Sequence, residues 1–401
     1  MSYMNMNEIG EKDFEKLDML FEEVIPNAEE IWLFGNGKIA RAFDKYLQIC
    51  DVKINGHVVS DDIHRNSTEN NTITLKEFKE RYKKGKTKLF LTIDSCYYSE
   101  ILPKLLFLED DLIYLNKVWK QNVLDRCGDV ENITIIVPVC DFCAGIKCYG
   151  CTVAAPLSKS GMYNFDDYKK DLMKLKNLCG DNIQHINFTG GDVFLHPKFV
   201  EFVEYARDLF PRVFFSCSTN GVLFNTQQDD VWRRLGKCNI TLNWTLYPVK
   251  YKDIEATVEK IDKLSESQIN LQIIGDALDE DKNSWKIPYT FKKQKKYDWL
   301  FCRFHKDGHQ CLTMRDGKLA CCFSMRRVKL LEDNFKGYFT EEFEQSTKNI
   351  SLDLYEINDP EFLYEWMQQR LDICDYCSIR ERKSLGKWVP SNCDVTEWFV
   401  E

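Results

Sequence analysis

Seventeen cysteines in 401 residues constrain this chain more than any other feature. An odd number cannot all pair, and they are spread unevenly, with four in Cys140–Cys151 and seven between Cys302 and Cys393. Residues 1–10 are polar and acidic, unlike a secretory leader, and no run approaches the roughly 18 apolar residues of a membrane span. A cytoplasmic location and no membrane partner are therefore expected. Thiols clustered in a reduced compartment point to metal before disulfides. The formal net charge of −9 argues against a polyanionic partner, so no nucleic acid is expected.

Three regions separate by pattern: 1–127, 128–300 and 301–401. In the first, an acidic amphipathic stretch (Phe14, Leu17, Leu20, Phe21, Val24) precedes the apolar run 31–34 and a glycine loop, Gly35-Asn36-Gly37-Lys38. A helical pattern follows, and strand-like runs at 52–60, 89–93 and 112–115 alternate with further helices. The second region repeats the alternation. Strands are expected at 133–139, 183–189, 213–218, 240–246 and 271–274, with helices at 165–179, 197–210 and 254–264. Alternating strands and helices mean an α/β fold with parallel sheets. In the third region, Arg315-Asp316-Gly317-Lys318 reads as a hairpin turn and 361–371 as a helix.

Right-handed crossovers put the C-terminal ends of parallel strands on one edge. Three unusual loops of the second region converge there: Cys140–Cys151, Gly190-Gly191-Asp192 and Thr219-Asn220-Gly221. The first contains Cys143-x4-Cys148-x2-Cys151, with Cys140 just upstream. Such spacing suits a closed zinc site or an iron–sulfur cluster, and spacing alone leaves both open.

Together with Val193-Phe194-Leu195-His196-Pro197 and Ser218, these loops resemble the motifs of the radical S-adenosylmethionine (radical SAM) enzymes over about residues 130–275. The resemblance implies a partial (β/α)6 TIM-like barrel. Cys143, Cys148 and Cys151 would hold a [4Fe–4S] cluster whose open iron takes S-adenosylmethionine. Gly190, Gly191, Asp192, Ser218 and Asn220 would contact that cofactor. The usual first gap is three residues rather than four, and glutamate is commoner at the position of Asp192. Cys140 and Cys143 therefore both stay open as the outer ligand, with Cys143 needing only a one-residue insertion.

The last region resembles the shortened auxiliary-cluster domain (twitch/SPASM-like) of many radical SAM enzymes. Cys302-x14-Gly317-x4-Cys322 and Cys374-x2-Cys377 carry that likeness. It implies a second [4Fe–4S] cluster with ligands among Cys302, Cys311, Cys321, Cys322, Cys374 and Cys377; a structural zinc ribbon is the rival. Gly35 and Gly37 after a strand, with Asp61 ending the next, resemble a Rossmann-like domain that binds NAD(P) or another nucleotide. A docking module that binds none fits the same residues.

The function implied is reductive cleavage of S-adenosylmethionine and hydrogen abstraction. The expected outcome is oxidation or epimerisation of a small sugar or nucleotide-linked substrate, with a reductant such as flavodoxin or ferredoxin. Two rivals are modification of a ribosomal peptide and a non-enzymatic zinc scaffold that senses a nucleotide. Catalytic side chains are not legible. His185, His305 and His309 read as packing residues, His196 as a helix-start residue rather than a catalyst, and Lys292–Lys296 as a solvated face.

Overall fold

A computed structural model describes residues 11–60, 71–275, 289–302, 310–322, 324–380 and 388–400. Asp61, His305 and His309 lie outside the described residues. The chain divides into two compact units.

Unit 1 comprises Met1–Val130, Lys295–His309 and Gln368–Arg370. Its elements run α1 (Glu11–Asp18), β1 (Glu30–Phe34), α2 (Lys38–Ile49), β2 (Gly56–Val59) and β3 (Thr72–Thr74). They continue with α3 (Leu75–Arg81), β4 (Thr87–Leu91), α4 (Tyr98–Leu105), β5 (Leu112–Tyr114) and α5 (Lys117–Cys127). The strands form one parallel sheet in the order β3-β2-β1-β4-β5. Ala40, Phe43, Tyr46 and Leu47, three and four residues apart, give α2 its buried face. Trp32, Val58, Phe78, Leu89 and Leu105 share one core cluster. A capping box, Thr74 with Glu77, starts α3. The strand expected over 52–60 shortens to four residues.

Unit 2 comprises Glu131–Gln294, Gln310–Met367 and Leu371–Glu401. It begins β6 (Ile133–Cys140), α6 (Phe165–Cys179), β7 (Ile183–Gly190), α7 (Phe199–Leu209), β8 (Phe214–Thr219), α8 (Asp229–Lys237), β9 (Ile240–Thr245), α9 (Ile254–Leu264) and β10 (Asn270–Ile274). There follow β11 (Tyr289–Thr290), β12 (Gln310–Arg315), β13 (Lys318–Ala320), α10 (Ser324–Asn334), α11 (Glu341–Ser346), β14 (Ser351–Asp353), α12 (Pro360–Met367) and β15 (Phe399–Val400). The main sheet is ordered β10-β9-β8-β7-β6-β12-β13-β14. Its first six strands are parallel, and the sixth, β12, joins beside β6 rather than after β10. The cysteine-rich stretch expected as a separate domain thus shares a sheet with the core, because β12 finds its backbone partners on the open edge of β6.

Local signals explain the strongest elements. The Asn164 side chain accepts from the N–H groups of Asp166 and Asp167 to start α6, and Gly180, at φ +50°, ends it. Tyr168 of α6 stacks on Phe202 of α7 with centroids 4.3 Å apart. Burying an aromatic side chain of this kind contributes about 1.5–3 kcal/mol. Asp316 and Gly317 both have positive φ, as a two-residue hairpin turn requires, and they join β12 to β13. Asp171, 1% exposed on α6, fastens that turn. It accepts from Gly317 N–H at 2.7 Å, from the Tyr355 hydroxyl at 2.6 Å and from the Tyr163 hydroxyl.

Candidate functional site

The site is built at the C-terminal ends of β6, β7 and β8. Gly191 N–H donates to Cys140 O (2.9 Å) and Asp192 N–H to Phe142 O (3.2 Å), so the β7 loop is laced onto the start of the cysteine loop. This closeness excludes side chains. A Cβ on Gly191 would lie 1.9 Å from Phe142 O, and one on Gly190 (φ +136°) 2.1 Å from Cys140 O. The paired glycines are needed for backbone to touch backbone.

Asp192 is fully buried. Its carboxylate accepts from Thr219 Oγ1 at 3.1 Å, from Phe194 N–H at 3.0 Å and from Asn220 N–H at 3.4 Å. Burial lifts its pKa to about 6, against the hydrogen bonds, which hold it down. The side chain therefore clasps the β7 and β8 loops together, and the backbone beside it is what faces the cysteine loop. Gly221, at φ +71°, lets Asn220 O receive both the Trp244 indole N–H (3.1 Å) and the Tyr251 hydroxyl (3.0 Å). Ser218, half-buried, points to the face of β8 opposite Thr219, across from Asn243 in register.

Cys143, Cys148 and Cys151 gather in one apolar cluster with Ile146 and Ala155, walled by Val222, Tyr247, Val249 and Trp388. Burial drives all three thiols upward, Cys148 to about 12, and each thiol's neighbours include another of the three for Cys143 and Cys148. Neutral thiols are what an apolar pocket favours; a bound metal centre would reverse that by taking thiolates. The Tyr247 hydroxyl and Trp388 indole lie toward the Cys148 sulfur and lower its pKa against burial. Among the described residues Trp388 Nε1 has no nitrogen or oxygen acceptor, which leaves the Cys148 sulfur as the group it faces. Cys140 does not join this group. Its Sγ–H is spent on Asp192 O at 3.0 Å inside the strand end.

Among the described residues, no three of His, Cys, Asp and Glu converge tightly enough to grip a single metal ion. A single zinc needs every sulfur within about 2.3 Å of one point, whereas a cubane offers each thiolate a different iron. Three thiols in an apolar pocket are donors of the type that an iron–sulfur cluster takes.

The other expected ligands divide. Cys302 belongs to unit 1, and Cys311, Cys321, Cys322, Cys374 and Cys377 to unit 2. Cys374 and Cys377 bracket one short turn, with Cys377 N–H on Cys374 O at 3.2 Å. Cys322 O receives the Thr313 hydroxyl at 3.0 Å. In unit 1, Gly37 precedes α2 as its N-cap with open space above it, and Gly35, at φ +111°, passes close to Ile93 after β4. His196, expected at a helix start, is buried just before α7 and bonds Tyr163 O at 3.0 Å. Tyr247, Trp388 and Trp398, whose indole donates to Cys151 O at 2.8 Å, were not singled out by sequence, since no spacing links them to the cysteines.

No helix among the described residues is long and apolar enough to cross a membrane. No curated protein matches the chain. Among solved structures, similar chains include BtrN in complex with AdoMet and 2-DOIA, at 14% identity and TM-score 0.38, covering 61% of this chain and 92% of that one. Native anSMEcpe with bound AdoMet and Cp18Cys peptide is 14% identical, TM-score 0.31, covering 64% and 89%. Streptococcus suis SuiB bound to S-adenosylmethionine is 11% identical, TM-score 0.29, covering 67% and 77%. Residues 137–270, from within β6 to the first residue of β10 and with all three loops inside, match the radical SAM superfamily model.

Proposed function

We propose that this chain is an enzyme that reductively cleaves S-adenosylmethionine and oxidises or epimerises a small sugar or nucleotide-linked substrate. The convergence of Cys143, Cys148 and Cys151 in one buried pocket, inside the radical SAM match and against the Gly190–Asp192 loop, carries the reading. When bound there, a [4Fe–4S] cluster with S-adenosylmethionine supplies a 5′-deoxyadenosyl radical that abstracts a substrate hydrogen. The chain's own part is to hold and to shield. Cys143 takes the outer ligand position, because Cys140 is committed to Asp192 O. Val222, Val249, Tyr247 and Trp388 keep water from the sulfurs. Gly190, Gly191 and Asp192 present backbone to the cofactor's amino acid end, and Ser218 and Asn220 stand beside it.

A second [4Fe–4S] cluster in unit 2, on Cys322, Cys374 and Cys377 with Cys311 as a further candidate, suits oxidation, since it can accept the electron a substrate radical must discard. Cys302, in unit 1, stays a candidate only as the resemblance implies. The unit 1 sheet follows the strand order of dinucleotide-binding folds, and its Gly35–Gly37 loop lies at the reversal between β1 and β4. Both features support a nucleotide, NAD(P) or a nucleotide-sugar, at that edge. A flavodoxin or ferredoxin is the proposed electron donor.

Anaerobic reconstitution with iron and sulfide tests the reading. Brown protein that forms 5′-deoxyadenosine on reduction supports it. Colourless protein holding stoichiometric zinc and forming none rejects it in favour of a scaffold.

A further inference from the structure

Arg327 on α10 is 5% exposed and has no carboxylate partner among the described residues. Its neighbour Arg326 shows the ordinary solution, pairing with Asp141 at 2.9 Å. Arg327 instead donates to two neutral acceptors. Nη1 reaches Thr152 O at 2.7 Å, directly after Cys151, and Nε and Nη2 reach the Tyr289 hydroxyl at 3.1 and 3.0 Å. Tyr289 is itself bridged through its backbone to Cys377. A buried guanidinium without a counter-charge costs several kcal/mol, and hydrogen bonds to neutral oxygens repay only part. The thiols that feel its charge are those of Cys322 and Cys377 and, next to Thr152, that of Cys151. Of the adjacent pair Cys321 and Cys322, only the second is among them.

We propose that Arg327 is the fixed counter-charge of an anionic iron–sulfur centre ligated by Cys322 and Cys377, and that it ties this centre to the Cys151 loop. The inference rests on the second-cluster reading above. Thiolates around an iron–sulfur core leave a net negative charge, which supplies what the guanidinium lacks. Reduction adds one electron, drawn from the reductant, and raises that negative charge. A nearby cation therefore favours the reduced form.

The test is an EPR-monitored dithionite titration of the reconstituted chain in a Cys148→Ala background, where the first cluster is removed. Arg327→Gln should shift the remaining centre to a more negative potential by at least tenfold in its redox ratio, about 59 mV for one electron. Arg327→Lys keeps the charge but loses the two-armed grip, and should stay near the parent value. An unchanged potential in Arg327→Gln overturns the assignment. So does a folded Arg327→Lys protein whose potential falls by about 59 mV or more from the parent, which also decides the matter if Arg327→Gln does not fold. Absence of any centre in Cys148→Ala alone would instead refute the second-cluster reading.

Discussion

Adding one methyl group at Gly191 should disable the site without touching a cysteine. The new Cβ would lie 1.9 Å from Phe142 O, 2.1 Å from Phe142 C and 2.8 Å from Cys143 N, all backbone atoms that no rotamer change can clear. Restoring ordinary contact at 3.4 Å requires a displacement of about 1.5 Å, delivered straight to the backbone of Phe142 and Cys143. Overpacking of this kind costs about 1–3 kcal/mol in stability. The functional loss should be larger, since a misplacement of about 1 Å near the chemistry costs on the order of 100-fold. Gly37→Ala is the matched control, because no atom lies within 4 Å of its added Cβ. The assay is iron and sulfide per chain after anaerobic reconstitution, 5′-deoxyadenosine formed under dithionite, and thermal unfolding of each variant. Gly191→Ala should fold, melt a few degrees lower, lose iron and form about 100-fold less 5′-deoxyadenosine. Full iron content and parental turnover in Gly191→Ala would refute the backbone-contact reasoning.

Three further outcomes are expected. Cys148→Ala should abolish formation of 5′-deoxyadenosine while Cys374→Ala retains some, and identical behaviour by product chromatography would defeat the division into two centres. Asp192 titrates near 6 when folded against 3.8 ordinarily, so the folded chain keeps a proton the unfolded chain has lost. Its neutral form therefore favours folding below 3.8, and that advantage, about 3 kcal/mol, fades as pH rises through 6. Urea unfolding of the metal-free chain across that window should show the decline, and Asp192→Asn should lack it. Asp171→Ala leaves the buried Tyr163 hydroxyl, the exposed Tyr355 hydroxyl and the Gly317 N–H without their acceptor, and should cost about 2 kcal/mol in urea unfolding, reduced in part by Asp171→Asn.

Sequence carried the site's backbone further than its walls. Cys143-x4-Cys148-x2-Cys151 and the paired glycines are local patterns, and parallel crossovers fix which ends of the strands meet, so their convergence was legible. The helix over 165–179 was exact to the residue, because Asn164 and Gly180 both mark its ends chemically. Trp388 and Tyr247 reach the thiols from segments far away in sequence, and no periodic pattern encodes such an approach. That the Cys140 sulfur bonds Asp192 O across two loops also needed three dimensions to see. The pairing of β12 with β6 was invisible for a related reason. A hairpin's own turn chemistry, at Asp316 and Gly317, says nothing of which sheet edge will receive it.

The most direct measurement is the EPR spectrum of the reduced, reconstituted Cys374→Ala chain before and after S-adenosylmethionine is added. A cluster gripped by three thiols and open at its fourth iron should change its signal when the sulfonium nucleotide binds, and Cys143→Ala should erase that signal. A spectrum indifferent to S-adenosylmethionine, or one that survives loss of Cys143, would contradict the account.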